Sequence, residues 1–364
     1  MANQANRVVV IGNGIVGAST AYHLSRQGVA VTVVDRHDAG QATDAGAGIV
    51  CPWVDHEGDD AWYALAREGA LYYDHLAELL AEDGEPETSH ARVGALLVGD
   101  SPAELVPDEA LLRGRRPEAP EMGEISVADR PAGLFPPLAP DLAALYLAGA
   151  ARVDGQVVRD VLLRAAVRRG ARLLTGTAAL TSSGTALLDG SPLEADAVVV
   201  AAGAWTGEVC RPLGADLPVR PLRGQIAHAV LPGVETAGWP LVLPRRGPYL
   251  LGFPGSRVVF GATREEAGFD PRVTTAGLAE VLSGAVRLAP GLGAATVVET
   301  RVGLRPATAD GRPLLGRLGD GVVVATGLSA YGLTAGPYAG HLAACLVTGG
   351  TPPLDVTPFS PGRF

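Results

Sequence analysis

Two arginines, Arg301 and Arg305, stand four residues apart in the segment RVGLRPATADGRPLLG, residues 301 to 316. A guanidinium presents a planar fork of N–H donors that matches a carboxylate with paired hydrogen bonds, so the segment is a candidate for anion recognition. Gly303 and Pro306 interrupt any helical run, and the segment reads as an irregular turn. The chain has no lysine: all 29 basic side chains are arginine. That excludes Schiff-base chemistry and the lysine of an ATP-binding loop, and leaves arginine as the means of cationic recognition.

A second pattern occupies the N-terminal region. RVVVIGNGIVGASTAYHLSRQGVAVTVVDR reads as a buried strand from Val8 to Ile11, a glycine turn, a helix from Ala18 to Gln27, and a second strand from Val29 that ends in Asp35. Gly12, Gly14 and Gly17 form GxGxxG in the strand–turn–helix context that phosphate binding requires. Gly12 permits the tight turn, Gly14 lets backbone approach a pyrophosphate, and Gly17 allows close helix–strand packing. Ile15 and Val16 stand between the glycines as further cofactor-binding candidates, and the helix N-terminus that follows faces the phosphates with free amides. Asp35 would accept from ribose hydroxyls and disfavours a 2′-phosphate, with Arg36 beside it as a counterweight. The following stretch, HDAGQATDAGAGIVCPW, is rich in small residues. Ala42, Thr43, Gly46, Ala47, Gly48 and Ile49 could run as backbone along an extended ligand, which favours FAD over NAD; a flexible surface loop is the alternative.

Composition narrows the rest. The 364 residues, 47% hydrophobic, are enough for two domains, and a formal charge of −10 argues against nucleic acid as a partner. Three dispersed cysteines and seven histidines without ligand spacing argue against a metal site. No apolar run reaches membrane-spanning length and MANQANR carries no signal core, so a soluble, cytoplasmic protein is expected. Residues 60 to 82 read as one amphipathic helix whose Tyr72, Tyr73 and Leu76 pack. Helices and buried strands return at 150 to 210, after a Pro-, Glu- and Arg-rich interruption. Residues 216 to 299 form a second, strand-rich interruption. The chain is thus α/β, with a Rossmann-like cofactor domain from residues 1–83, 146–215 and 300–364. An α+β substrate domain from 84–145 and 216–299 is inserted into it. Two glycine-rich turns follow buried strands, where open α/β sheets bind ligands. The first holds Ala202, Gly203 and Trp205; the second holds Gly327, Tyr331, Gly332, Leu333 and Thr334.

Together these motifs resemble the D-amino-acid oxidase superfamily of FAD-dependent oxidoreductases, in its glycine oxidase, sarcosine oxidase and D-amino-acid dehydrogenase branch. The resemblance spans nearly the whole chain. It rests on the N-terminal fingerprint, DAVVVAAGAWTGEV, RPLRGQI, VVFGATREEAGFD, GLRPATADGRPLLG and GLSAYGLTAGPYAG, in that order. It implies non-covalent FAD, a mixed β-sheet facing the flavin and oxidation of an amine carbon, with a D-amino acid as first expectation. A glycine or secondary-amine oxidase, a tailoring oxidase of an amino-acid derivative, and a flavin-binding protein without catalysis are the alternatives. The resemblance makes Arg305 the carboxylate clamp above the flavin and counts Gly303 and Arg305 among the cofactor-binding residues. It brings Tyr331 and Tyr249 to the reaction site and Val50, Cys51 and Trp53 to the substrate pocket. Arg301 either adds to the carboxylate field or pairs with Glu299, and Asp310 braces the turn. Sarcosine-oxidase-type enzymes attach flavin to a cysteine just ahead of the last motif and use a lysine near the ring; Val302-Gly303-Leu304 and the absence of lysine depart from both. Expected partners are an amino-acid or amine substrate and O2 or another electron acceptor, with a homo-oligomer left open.

Overall fold

The computed structural model describes residues 5–364; residues 1–4, assigned above to the cofactor domain, lie outside them. The β-branched runs form the centre of a six-stranded sheet. Its spatial order is Leu314–Arg317, Val322–Thr326, Ala197–Val200, Arg7–Ile11, Ala30–Asp35, Arg172–Thr175. All neighbours are parallel except the hairpin formed by the first two. Alternation sends Val8 and Val10 into one core and Val9 and Ile11 into another on the opposite face, so the sheet is covered on both sides. The chain order reverses between Arg7–Ile11 and Ala197–Val200, and a ligand crevice opens at such a switch point.

Helix Ile15–Arg26 packs against the last helix, Gly332–Val347, closely enough for Ser19 Oγ to donate to the Pro337 carbonyl at 2.6 Å. Helix Asp60–Glu82 has the bounds that its amphipathic pattern predicts, and the Asp59 side chain caps it by accepting from Trp62 N–H at 3.2 Å. Tyr72, Tyr73 and Leu76 on that helix are buried in the core.

A second, eight-stranded sheet stands against the first. Its order is Thr296–Thr308, Val219–Val230, Arg257–Gly261, Tyr249–Phe253, Leu241–Pro244, Ala95–Gly99, Ala143–Leu147, Ile125–Val127. It is mixed: Leu241–Pro244 runs parallel to Ala95–Gly99 and the other pairs are antiparallel. Helix Thr275–Leu288 packs Val281 and Ala285 onto one face, with Ala227, Val258 and Phe260. The other face turns Leu97, Ile226, Leu251 and Val259 toward Cys51 and Trp53.

This sheet corrects the reading of the arginine segment. Residues 301 to 308 are not a turn; they belong to the 13-residue strand Thr296–Thr308. Pro306 is tolerated because the strand lies at the sheet edge, where it faces Pro221. The domain boundary drawn at residue 300 therefore cuts a strand of the second sheet, and the boundary at 145/146 cuts Ala143–Leu147. Among the described residues, no helix is long and apolar enough to cross a membrane.

Candidate active site

A cavity of about 730 Å³ runs from the switch point of the first sheet to the inner face of the second. One end is built mainly of backbone. Gly12 has φ +102°, and a Cβ there would lie 2.4 Å from the Ala201 carbonyl oxygen on the neighbouring strand. Only glycine therefore permits the strand to turn here. Gly14 caps the helix that starts at Ile15, and Gly14, Ile15 and Val16 line the cavity. The amides of that first turn carry the partial positive charge of the helix terminus. Gly17 stands behind the lining; a Cβ there would fall 1.9 Å from the Gly12 carbonyl, which is the close packing its position requires.

Asp35 closes this end. Its carboxylate accepts from Asn13 N–H at 2.8 Å, His37 N–H at 2.6 Å and Gln41 Nε2 at 2.7 Å, and so braces the turn as well as lining the wall. Arg36, also on the wall, is held by Asp38, which lifts its pKa.

The small-residue stretch forms the second cradle, and Ala42, Thr43, Gly46, Ala47, Gly48 and Ile49 all line the cavity. Thr43 Oγ1 accepts from Ile15 N–H at 3.0 Å, joining this cradle to the helix start. Thr334 Oγ1 donates to the Ile49 carbonyl at 3.0 Å and ties in the last helix. Ala202, Gly203 and Trp205 line the opposite wall, with Gly327, Tyr331, Gly332, Leu333 and Thr334 at the far turn. Sequence reasoning missed the segment that includes Gly176, Ala178 and Leu180 beside Asp35, because nothing in its composition marks it.

The other end is built of side chains. Arg305 projects from its edge strand, and its guanidinium lies across Gly224 of the neighbouring strand. A Cβ on Gly224 would meet Nη1 at 2.3 Å, Nη2 at 2.4 Å and Cζ at 2.5 Å. Nη1 donates to the Thr263 carbonyl at 3.2 Å. Thr263 is fixed in turn: its Oγ1 accepts from Gln225 N–H at 2.9 Å and donates to Glu265. Burial would raise the Glu265 pKa, but bonds from Arg223, Thr263 and Gln225 outweigh it and hold the carboxyl below its ordinary value. Arg305 itself has no carboxylate within ion-pair distance among the described residues. Tyr249 lies beside it; burial raises the phenol's pKa and the neighbouring guanidinium opposes that rise.

Arg305, Gly303, Tyr249, Tyr331 and Cys51 therefore share this end of the cavity, and Val50, Trp53 and Arg301 do not. Strand alternation explains Val50: Ile49 and Cys51 face the cavity while Val50 points into the helical core. Trp53 is buried, with Nε1 donating to Glu121 at 3.2 Å. Arg301 lies four strand residues from Arg305, about 13 Å along the chain, too far to share one carboxylate. Its Nε and Nη2 instead donate to Glu299 at 2.8 Å each, and its Nη1 to the Asp44 carbonyl at 3.1 Å. Asp310 accepts from Arg312 N–H at 3.1 Å and pairs with Arg363, bracing the turn beyond the strand.

Tyr331 donates its hydroxyl to Asp55, and burial together with that carboxylate holds the phenol well above its ordinary pKa. Burial, reinforced by Asp55, also raises the Cys51 thiol, so this cysteine is protonated at neutral pH. Asp55, Asp108 and Arg245 also line this end. Sequence reasoning missed all three. The signal for Arg245 was its place in RRGPY, just ahead of Tyr249.

A glycine crevice at a switch point, continued by a second backbone cradle, fits an extended dinucleotide. Arg305 at the far end, without a carboxylate partner among the described residues, fits a carboxylate. The cavity can thus take a dinucleotide at one end and an anionic group at the other. Comparison with known proteins agrees: the model of the DAO family of FAD-dependent oxidoreductases matches residues 7–346. The chain belongs to that family, and is an FAD-dependent enzyme of amino-acid and amine oxidation. Glycine oxidase of Pseudomonas putida is 32% identical, over 99% of this chain and all of that protein. An uncharacterized oxidoreductase of Bacillus subtilis, YurR, is 44% identical over 97% and 98% of the two chains. Among solved structures, iminodiacetate oxidase from Chelativorans sp. BNC1 is 46% identical with a TM-score of 0.95, covering 98% of this chain and 99% of that one. Glycine oxidase from Geobacillus kaustophilus, 26% identical, has a TM-score of 0.86 over 99% of both.

Proposed function

We propose that this enzyme oxidises a small amino acid or N-substituted glycine at the C–H bond beside nitrogen. The observation that carries the reading is the guanidinium of Arg305, which lines the cavity, donates to the Thr263 carbonyl and has no carboxylate partner among the described residues. In a partly desolvated site such a fork holds a carboxylate in one orientation, and orientation supplies much of the rate in reactions of this kind. FAD, bound without a covalent link, supplies the two-electron acceptor.

The protein's own tasks are binding and alignment. Arg305 holds the carboxylate, Thr263 and Gly224 fix where Arg305 points, and Tyr249 adds a hydroxyl beside it. The amine reacts in its neutral form, so no side-chain base is required. Loss of a hydride from carbon leaves an imine that water cleaves to an oxo acid and an amine, or to ammonia when the substrate is a primary amine. Reoxidation passes the electron pair to O2 or another acceptor. Two of the relatives at 30% identity or more are named as glycine oxidase and iminodiacetate oxidase, which supports the glycine-type alternative over the first expectation of a D-amino acid.

The test is anaerobic titration of the holoenzyme with glycine, sarcosine, iminodiacetate and both alanine enantiomers, following the oxidised-flavin absorbance. The glycine-type compounds should bleach it. Bleaching by amines that lack a carboxylate, or by none of the panel, would contradict the proposal.

A further inference from the structure

The same cavity is also lined by the uncharged Leu97, Leu243 and Gly247 and by Arg245 and Asp108, the last on helix Pro102–Arg115. Arg245 stands in the hairpin between Leu241–Pro244 and the strand that begins with Tyr249, so it and the Arg305 site flank the same tyrosine. Its Nη1 donates to the Asp108 carboxylate at 2.9 Å and to the Glu104 carbonyl at 2.6 Å. Both bonds use one nitrogen. Nε and Nη2, the edge of the fork that takes a carboxylate side-on, have no protein partner among the described residues. The side chain is 42% exposed, against 24% for Asp108, so solvent and solutes reach it. The charged groups around this end of the cavity are Arg305, Arg245, Asp108 and Asp55.

We propose that Arg245 recognises a second carboxylate on the substrate, and that the preferred substrate is a secondary amine carrying two carboxylates. This rests on the reading of Arg305 as the clamp for the first. One carboxylate sits on Arg305 beside the reacting carbon, and the nitrogen substituent extends within the cavity to place the other on Arg245. Asp108 is then an internal counter-ion: it keeps Arg245 in place without substrate and competes with the incoming carboxylate. Removing Arg245 and removing Asp108 should therefore act in opposite directions.

Thiodiacetate and methylthioacetate separate these contributions. Sulfur replaces the amine nitrogen in both, so each reports binding through perturbation of the flavin spectrum, and they differ by one carboxylate. In the holoenzyme thiodiacetate should bind at least about tenfold more tightly, as expected for one added charge-assisted contact. Arg245→Gln should erase that advantage while moving methylthioacetate less than about threefold, and Asp108→Asn should enlarge it. Equal affinity of the two probes in the unmodified enzyme, an equal loss of both in Arg245→Gln, or a weakened advantage in Asp108→Asn would each overturn the inference while leaving the Arg305 clamp standing. If neither probe perturbs the flavin, the clamp itself fails and the inference fails with it.

Discussion

The two ends of the cavity are built by different means. The crevice is lined mainly by main chain: Gly12 at positive φ, the amides of the helix beginning at Ile15, and a cradle of alanines and glycines pressed against it. The far end is lined by side chains on separate strands and loops: Arg305, Tyr249, Tyr331 and Arg245. A backbone site tolerates little variation, since each part is a fold constraint. A side-chain site can change its substrate by exchanging one residue while the fold stays as it is. The two ends should therefore be separable by mutation.

The largest effect is expected from breaking the backbone end. Gly12→Val would drive a branched Cβ into the Ala201 carbonyl and impose a disfavoured φ. The purified variant should carry less than about a tenth of the normal flavin, read from its absorbance ratio. A fully yellow variant would mean that the crevice does not hold the cofactor.

Gly224→Ala is the sharper test at the other end. The three atoms nearest its Cβ all belong to the tip of the Arg305 side chain, which can swing aside, so folding and flavin content should be retained. The displaced clamp should lower kcat/KM by about 10- to 100-fold, with KM rising for carboxylate substrates, in line with loss of one oriented charge-assisted bond. Loss of flavin in parallel with activity would show that the two ends are not independent.

The smallest effect is expected from Arg301→Ala. This arginine shares a strand face with Arg305, but it is spent on Glu299 and the Asp44 carbonyl. Its loss should cost at most about 1 kcal/mol of stability and change kcat/KM by less than about threefold, as expected for an ion pair whose acid is half exposed. A tenfold rise in KM would return Arg301 to the substrate site.

The same contrast explains what could be read from the sequence. The crevice was legible because its chemistry is local: strand, GxGxxG, helix and acid lie within about thirty residues, and each glycine has a steric reason. Helix Asp60–Glu82 was legible because its amphipathic pattern has the helical period throughout. The strand Thr296–Thr308 was misread because Gly303 and Pro306 are poor strand residues in isolation. Their positions make sense only in the assembled sheet. Pro306 lies in an edge strand, and a Cβ on Gly303 would sit 3.1 Å from the Ala45 Cβ. The substrate end was only partly legible for the same reason. Arg305 was found through a motif, whereas Asp55, Asp108 and Arg245 come from three segments distant in sequence that the tertiary fold brings to one cavity.

The central claim is that Arg305 holds the substrate carboxylate and leaves cofactor binding to the other end. Its most direct test is stopped-flow reduction of the flavin in Arg305→Ala by whichever amino acid bleaches the unmodified enzyme. Full flavin occupancy is expected, with apparent second-order reduction slowed by about 10²- to 10³-fold, the usual cost of deleting one partner of a desolvated charge pair. An unchanged reduction rate would contradict it.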